Sequence, residues 1–292
     1  MRYRRAVLTL LAAVLLALPA AAAHYSDFYV IPVAGHVPGV NDTFFRSDIA
    51  IHNFQDTPIT VDMALVESGI GLTNNVFAIG DPVTVAARGS VLLEDVLDGY
   101  RGMESVLGSI LIGADKPFAV VSRAFTNAED GGTYGQTIPA VADFLDNVSG
   151  VTDPAMARAW IPGARSDSEF RTNIGFVAGS GDSSSESLAV KVRLYDQSGG
   201  SLGTETFLLP GGTFNHTQFN TSVITGETFT VAGVEITIPS GNGAVIPYIS
   251  VVDNETGDGW FVLGTFPPNQ PAGKTGQMSE FRQLFDQVMR DR

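Results

Sequence analysis

The sequence predicts an all-β protein made of two tandem antiparallel β-sandwich modules, an internal duplication, followed by a short C-terminal helix. Three observations predict this. Runs of Val, Ile, Phe and Thr alternate with polar residues at period two and are punctuated by Gly, Asn, Asp and Ser. No strand pattern alternates with a long helical pattern, which argues against a parallel doubly wound sheet. One unusual phrase is written twice: "FFRSDIAI" at 44–51 is answered by "EFRTNIGF" at 169–176.

The echo extends along the chain in a fixed order. "YVIPVAGH" (29–36) faces "AWIPGARS" (159–166), and the Phe-Arg strands follow. "TPITVDMALVESG" (57–69) faces "SLAVKVRLYDQSG" (187–199), both alternating and both ending at Gly. "VTVAARGSVLLEDVL" (83–97) faces "TFLLPGGTFNHTQFN" (206–220), each a strand, a Gly turn and a strand. "AVVSRAFTNAEDGGTYG" (119–135) faces "VIPYISVVDNETGDGWF" (245–261). A shared order of matches marks a duplicated unit where one match alone would not. Module one is assigned to 27–141 and module two to 157–268. About seven or eight short strands in each suit a sandwich.

The remaining segments are read in chain order. "MRYRR" followed by "AVLTLLAAVLLALPA" and "AAA" has the basic, apolar and small-residue parts of a secretory signal peptide, expected to span 1–23. No later run is long and apolar enough to span a bilayer. "LEDVLDGYRGM" can make a helical turn between strands, and "TSVITGETFTVAG" stands in its place in module two as an added hairpin or loop. "DFLDNVSGVTDPAMA" joins the modules as loop or a short turn of helix. "PPNQPAGKTGQ" is a linker. The helix is expected over 278–292, where Ser279 can cap and Phe281, Leu284, Phe285, Val288 and Met289 form one stripe. So short a helix is marginal alone and is expected to dock on its own chain.

Composition narrows the function classes. With no Cys, a lipobox, a disulfide framework, thiol catalysis and cysteine-ligated metal are excluded. Loss of residues 1–23 removes three Arg and no acid, so Lys plus Arg falls from 17 to 14 against 31 acids, a net charge of about −17. That charge disfavours nucleic acid and anionic membrane surfaces as partners and suits a periplasmic or extracellular protein.

"HVPGVNDTFFRSDIAIHN", "VVSRAFTNAEDGGTYGQTIPA", "FRTNIGFV" and "SVVDNETGDGWFVLG" resemble recurring phrases in tandem β-sandwich modules of secreted or cell-surface bacterial proteins. The resemblance spans nearly the whole mature chain. It implies immunoglobulin-like sandwiches of uncharacterised role and brings no residue roles with it.

Four sets of residues are candidates for chemistry. Residues two apart on a strand share a face, so Arg46 and Asp48 point one way while Phe45, Ser47 and Ile49 point the other; Arg171 and Asn173 repeat the pair. The guanidinium can tether loop carbonyls or hold an anion. The change from Asp48 to Asn173 keeps hydrogen bonding and drops charge, which suits a tether and not a general acid or base.

Asp253, Asn254, Glu255 and Asp258 in "DNETGDG", with Asn127, Glu129 and Asp130 in "TNAEDGG", read first as hairpin turns. Calcium is the one cofactor for which these oxygens are candidates, although neither segment has the spacing of a twelve-residue calcium loop. The histidines are His24, His36, His52 and His216. Cleavage after Ala23 would make His24 the mature N-terminus, whose amine and imidazole, with one of the other three, could hold copper as secreted polysaccharide monooxygenases do. H-E-x-x-H does not occur. Lastly, Tyr100, Tyr134, Trp160, Tyr248 and Trp260 could stack sugars where exposed, with Trp160 and Trp260 expected in the core.

The resulting expectation is a secreted, non-catalytic binding or structural protein that engages a partner protein, the cell surface or a glycan. The alternative is the copper-dependent monooxygenase.

Overall fold

The computed structural model of the chain describes residues 25–69, 75–128, 131–142, 158–179, 187–241, 244–264 and 285–291. The regular structure in them is β apart from single 3-10 turns at Tyr100–Gly102 and Thr221–Val223 and a short C-terminal helix, α1, at 285–290.

The first half holds β1 (Ser26–Pro38), β2 (Phe44–His52), β3 (Ile59–Glu67), β4 (Val76–Ala78), β5 (Val83–Val85), β6 (Ser90–Leu93), β7 (Val106–Asn127), β8 (Thr133–Ile138) and β9 (Val141–Ala142). These form one curled, half-barrel sheet in the order β4-β3-β7-β1-β2-β6, with β5 on β3, β8 on β7 and β9 on β1. The curl comes from β7, which is 22 residues long. Its first part, to Ala114, lies between β1 and β3; its second, from Ala119, lies between β2 and β8. Between them Asp115-Lys116-Pro117 interrupts the ladder, and Pro117 has no N–H to contribute to it. The sheet therefore closes over its own apolar face. Ile31, Ile49, Leu65, Ile110 and Phe118 are fully buried there.

The second half holds β10 (Arg158–Ser166), β11 (Phe170–Gly179), β12 (Leu188–Tyr195), β13 (Ser201–Leu209), β14 (Phe214–Asn220), β15 (Phe229–Ser240), β16 (Ala244–Asp253) and β17 (Gly259–Leu263). They form two four-stranded antiparallel sheets, β10-β15-β12-β13 and β14-β11-β16-β17. The inward residues of both, among them Ile174, Phe176, Val192 and Val234, share one core.

The pairings of the two halves correspond. With β7 counted as two strands joined at its bend, the first half runs β1-β7-β3-β4 on one face and β6-β2-β7-β8 on the other. The second runs β10-β15-β12-β13 and β14-β11-β16-β17. The strand β7 makes in one piece is thus made by β15 and β16 in two. Both first strands also slip out of step after an Ile-Pro pair: β1 between Ile31 and Ala34, β10 between Pro162 and Ala164. A bulge accommodates a proline that a continuous ladder would reject. In β10 the bulged residue is Gly163 at φ +91°, a conformation that favours glycine.

The halves meet along a third apolar cluster. Phe28, Val30, Ala64, Val66 and Leu111 of β1, β3 and β7 pack on Val177, Phe214 and Ile246 of β11, β14 and β16. Each such side chain contributes on the order of 1.5–3 kcal/mol relative to exposure. A backbone link runs beside it: Ser68 bridges to His216, whose carbonyl accepts the Gly69 N–H at 3.0 Å. Helix α1 docks on the same cluster through Phe285, edge-on to Phe28 at 5.4 Å between centroids, with Val288 and Met289 alongside. Phe281 and Leu284, the other members of the expected stripe, lie outside the described residues, as do 1–24 and 143–157. No helix among the described residues is long and apolar enough to cross a membrane.

Candidate functional site

The two Arg phrases put their residues on the strand faces that period two requires. Ser47, Ile49 and Thr172, Ile174 are buried, while Arg46, Asp48 and Arg171, Asn173 are half-buried on the opposite face. The two guanidiniums, however, hold different turns. Arg46 Nε lies 3.3 Å from Asp95 Oδ2, in the turn after β6. Asp48 Oδ1 accepts the N–H of the same Asp95 at 2.9 Å, fixing that residue at a left-handed φ of 42°. His36 completes the group, with Nδ1 3.0 Å from both Asp95 oxygens. Arg171 Nη1 instead donates to the Asp253 carbonyl (3.4 Å) and Asn254 Oδ1 (3.1 Å), in the turn between β16 and β17.

That Asp-rich turn is built by its own side chains. Asp253 Oδ1 accepts from the Glu255 N–H (2.9 Å), the Thr256 N–H (2.7 Å) and the Thr256 hydroxyl (3.0 Å). The Thr256 bonds lead in holding its carboxyl below the usual range. The turn also ties the halves together. Asn41 Nδ2 donates to the Asn254 carbonyl at 2.6 Å, and Asp258 Oδ1 accepts the Gly135 N–H at 3.1 Å. Glu129 and Asp130, of the matching first-half turn, lie outside the described residues.

Beside this junction a cleft of about 410 Å³ opens. It forms because the outer face of β11, β14 and β16 changes character along its length. Val177, Phe214 and Ile246 are packed against the first half. Further along, Gly175 leaves room for the Tyr248 ring, which enters the first half's core and stacks on Phe261. Beyond that point Gln218, Asn173, Ser250 and Arg171 face Val33, Val37, Leu107 and Gln136 across the cleft. An apolar wall with a few convergent polar groups, in a volume of this size, is the usual form of a ligand site. Burial holds the Arg171 guanidinium below its ordinary pKa, while the Asp253 charge opposes this.

The histidines are dispersed. His24 lies outside the described residues. His36 touches Phe44 at the start of β2, ring centroids 4.6 Å apart, whereas His52 ends that strand and has its Nδ1 2.9 Å from Ser90 Oγ. Eight strand residues separate those positions by roughly 27 Å. His216 is fully buried, with Nε2 2.7 Å from the Tyr248 hydroxyl, which donates on to Gln218 Oε1 at 3.0 Å. Desolvation holds its pKa down at about 3. One cation-capable group does assemble among the described residues: His36, Asp95 and Asp98. With Nδ1 on Asp95, itself paired to Arg46, the atoms left to face a cation are His36 Nε2 and Asp98 Oδ1, 4.0 Å apart.

Sequence reasoning missed Asp95 and Asp98, although "LEDVLDG" displays both, and it missed Gln136, Gln218 and Ser250. Contrary to expectation, Trp160 and Trp260 are 42% and 38% exposed. Tyr100 and Tyr248, candidates only where exposed, are buried.

No protein-family model matches the chain, and no curated protein matches it. Solved structures similar to it include a lectin from Pleurotus ostreatus in complex with GalNAc, at 13% identity over 85% of this chain and 89% of that one, with a TM-score of 0.22. The D431N mutant VP2 protein of infectious bursal disease virus is similar at 13% identity over 90% and 82%, with a TM-score of 0.25. Superpositions this loose carry no functional argument.

Proposed function

We propose that the chain is a secreted, non-catalytic binding protein made of two copies of one immunoglobulin-like sandwich module, 27–141 and 157–268. The matching strand orders support the duplication, as do the paired bulges after Ile31-Pro32 and Ile161-Pro162. The cleft between the halves carries the binding reading. It exists because the second module's outer sheet face roofs the first module's open end, an arrangement neither module has alone. Arg46, Asp48 and His36, the residues that most invite a catalytic reading, are engaged with Asp95 instead.

The test is a thermal-shift screen of the secreted protein against glycans, peptides and small organic ligands, repeated on Asn173→Phe, which fills the cleft. A selective ligand that stabilises the wild type and not the variant is expected. If no ligand is selective, or N173F binds as well, the reading is wrong.

A further inference from the structure

The two Arg phrases are an internal comparison. In the first, the Arg46 guanidinium is neutralised by Asp95, and Asp48 sits two residues along the same face. In the second, both hydrogen-bond acceptors of Arg171 among the described residues, the Asp253 carbonyl and the Asn254 side-chain amide oxygen, are uncharged. The one carboxylate that acts on it, Asp253, has its Oδ1 taken by Glu255 and Thr256. The residue two positions along is Asn173, so the acid of the first phrase is missing here. Both Arg171 and Asn173 line the cleft. A half-buried guanidinium whose hydrogen-bond acceptors among the described residues are uncharged, with only the charge of Asp253 acting on it, has donors suited to an anion.

A second observation comes from the opposite wall. Gln136 Nε2 donates to Ser250 Oγ at 2.6 Å, and its Oε1 is buried with no partner. Whichever way this amide is turned, one of its polar atoms is left buried without a bond beside the cleft, and a buried polar group left so is costly. The same cleft is lined by the apolar side chains of Val33, Val37 and Leu107.

Resting on the binding reading above, we infer that the cleft takes a small carboxylic acid with an apolar body, its carboxylate held by Arg171 and its chain lying on Val33, Val37 and Leu107.

Octanoate and octanamide are suitable probes, measured by calorimetric titration of the whole secreted protein. The wild type is expected to prefer octanoate by about ten- to a hundredfold, the range set by one charge-assisted hydrogen bond. Arg171→Gln should abolish that preference, while Arg46→Gln, which changes the equivalent residue outside the cleft, should keep it. Should R171Q fail to fold, Asn173→Asp serves: the added acid should weaken octanoate far more than octanamide. Equal affinity of the two probes in the wild type, failure of octanoate to bind, or a preference undiminished by R171Q or N173D would overturn the inference. The wider binding reading falls only on its own test, if the screen finds no selective ligand or N173F binds as well as the wild type.

Discussion

Ser47 Oγ accepts the N–H of Gly35 at 2.9 Å, and 125 residues further on Thr172 Oγ1 does the same for Arg165 at 2.8 Å. Thr172 also donates to the Arg165 carbonyl at 2.6 Å. Each hydroxyl is fully buried and satisfies backbone just past the bulge in the strand before it. The repeated phrase is therefore tied together by its middle hydroxyl residue, on the face opposite to the Arg. Ser47→Ala and Thr172→Val leave buried backbone groups unpaired and should each lower stability by about 1–3 kcal/mol. Urea unfolding measures this, and a loss within experimental scatter at both positions would remove the hydroxyl from the account.

His216 makes the fold acid-sensitive. Its pKa of about 3 in the folded chain lies below the unfolded value of 6.5, so the unfolded chain binds the extra proton between them. Its effect on stability is absent above pH 6.5 and grows as the pH falls towards 3. At pH 4.5 the loss is on the order of 3 kcal/mol. Denaturation curves of His216→Gln against wild type should therefore converge, or cross, on going from pH 7.5 to 4.5. Curves that stay parallel would show that burial of this imidazole does not govern the acid response.

Two glycines in strands separate packing from conformation. A methyl group at Gly175 would collide with the Tyr248 ring, whereas one at Gly233 meets nothing within 4 Å. Gly175→Ala should destabilise by about 1–3 kcal/mol through displacement of a ring that sits in the first half's core. Gly233→Ala should be neutral or slightly stabilising. Equal effects, read from melting temperatures, would contradict the packing of Tyr248 across the junction.

Phe285 anchors α1 against Phe28 and over Gly113. Phe285→Ala removes the buried ring that fixes so short a helix, and the C-terminal segment should be cleaved by protease well before the rest of the chain. Unchanged protection would mean that other contacts hold the helix.

The sequence displayed strands and faces where period two survives, as in β2, β10 and β12, whereas β1, the start of β7 and most of β11 are buried on both faces. Trp160 shows how far that reaches: it stands between Ala159 and Ile161, both buried, so alternation turns it outward although aromatic size suggested the core. Other features depend on contacts far apart in the chain. Nothing local to Arg46 names Asp95, and nothing local to Arg171 names Asn254. The fusion of two strands into β7 turns on three residues at its bend. The cleft was the least legible feature, since it arises from how one module's sheet lies on the other's open end. Its one trace in the sequence was the change from Asp48 to Asn173, which read as an argument against acid–base chemistry and gains a second meaning beside a guanidinium whose acceptors, the Asp253 carbonyl and Asn254 Oδ1, are uncharged.

The central claim is that ligand binds at the junction and not on loops or outer sheet faces. Backbone amide shifts mapped by NMR during titration of a ligand found in the screen test it most directly. The account predicts perturbations concentrated at Val33–Val37, Arg171–Asn173, Gln218 and Ser250. Perturbations concentrated instead around Trp160 and Tyr195, on the outer face of the β10-β15-β12-β13 sheet, would contradict it.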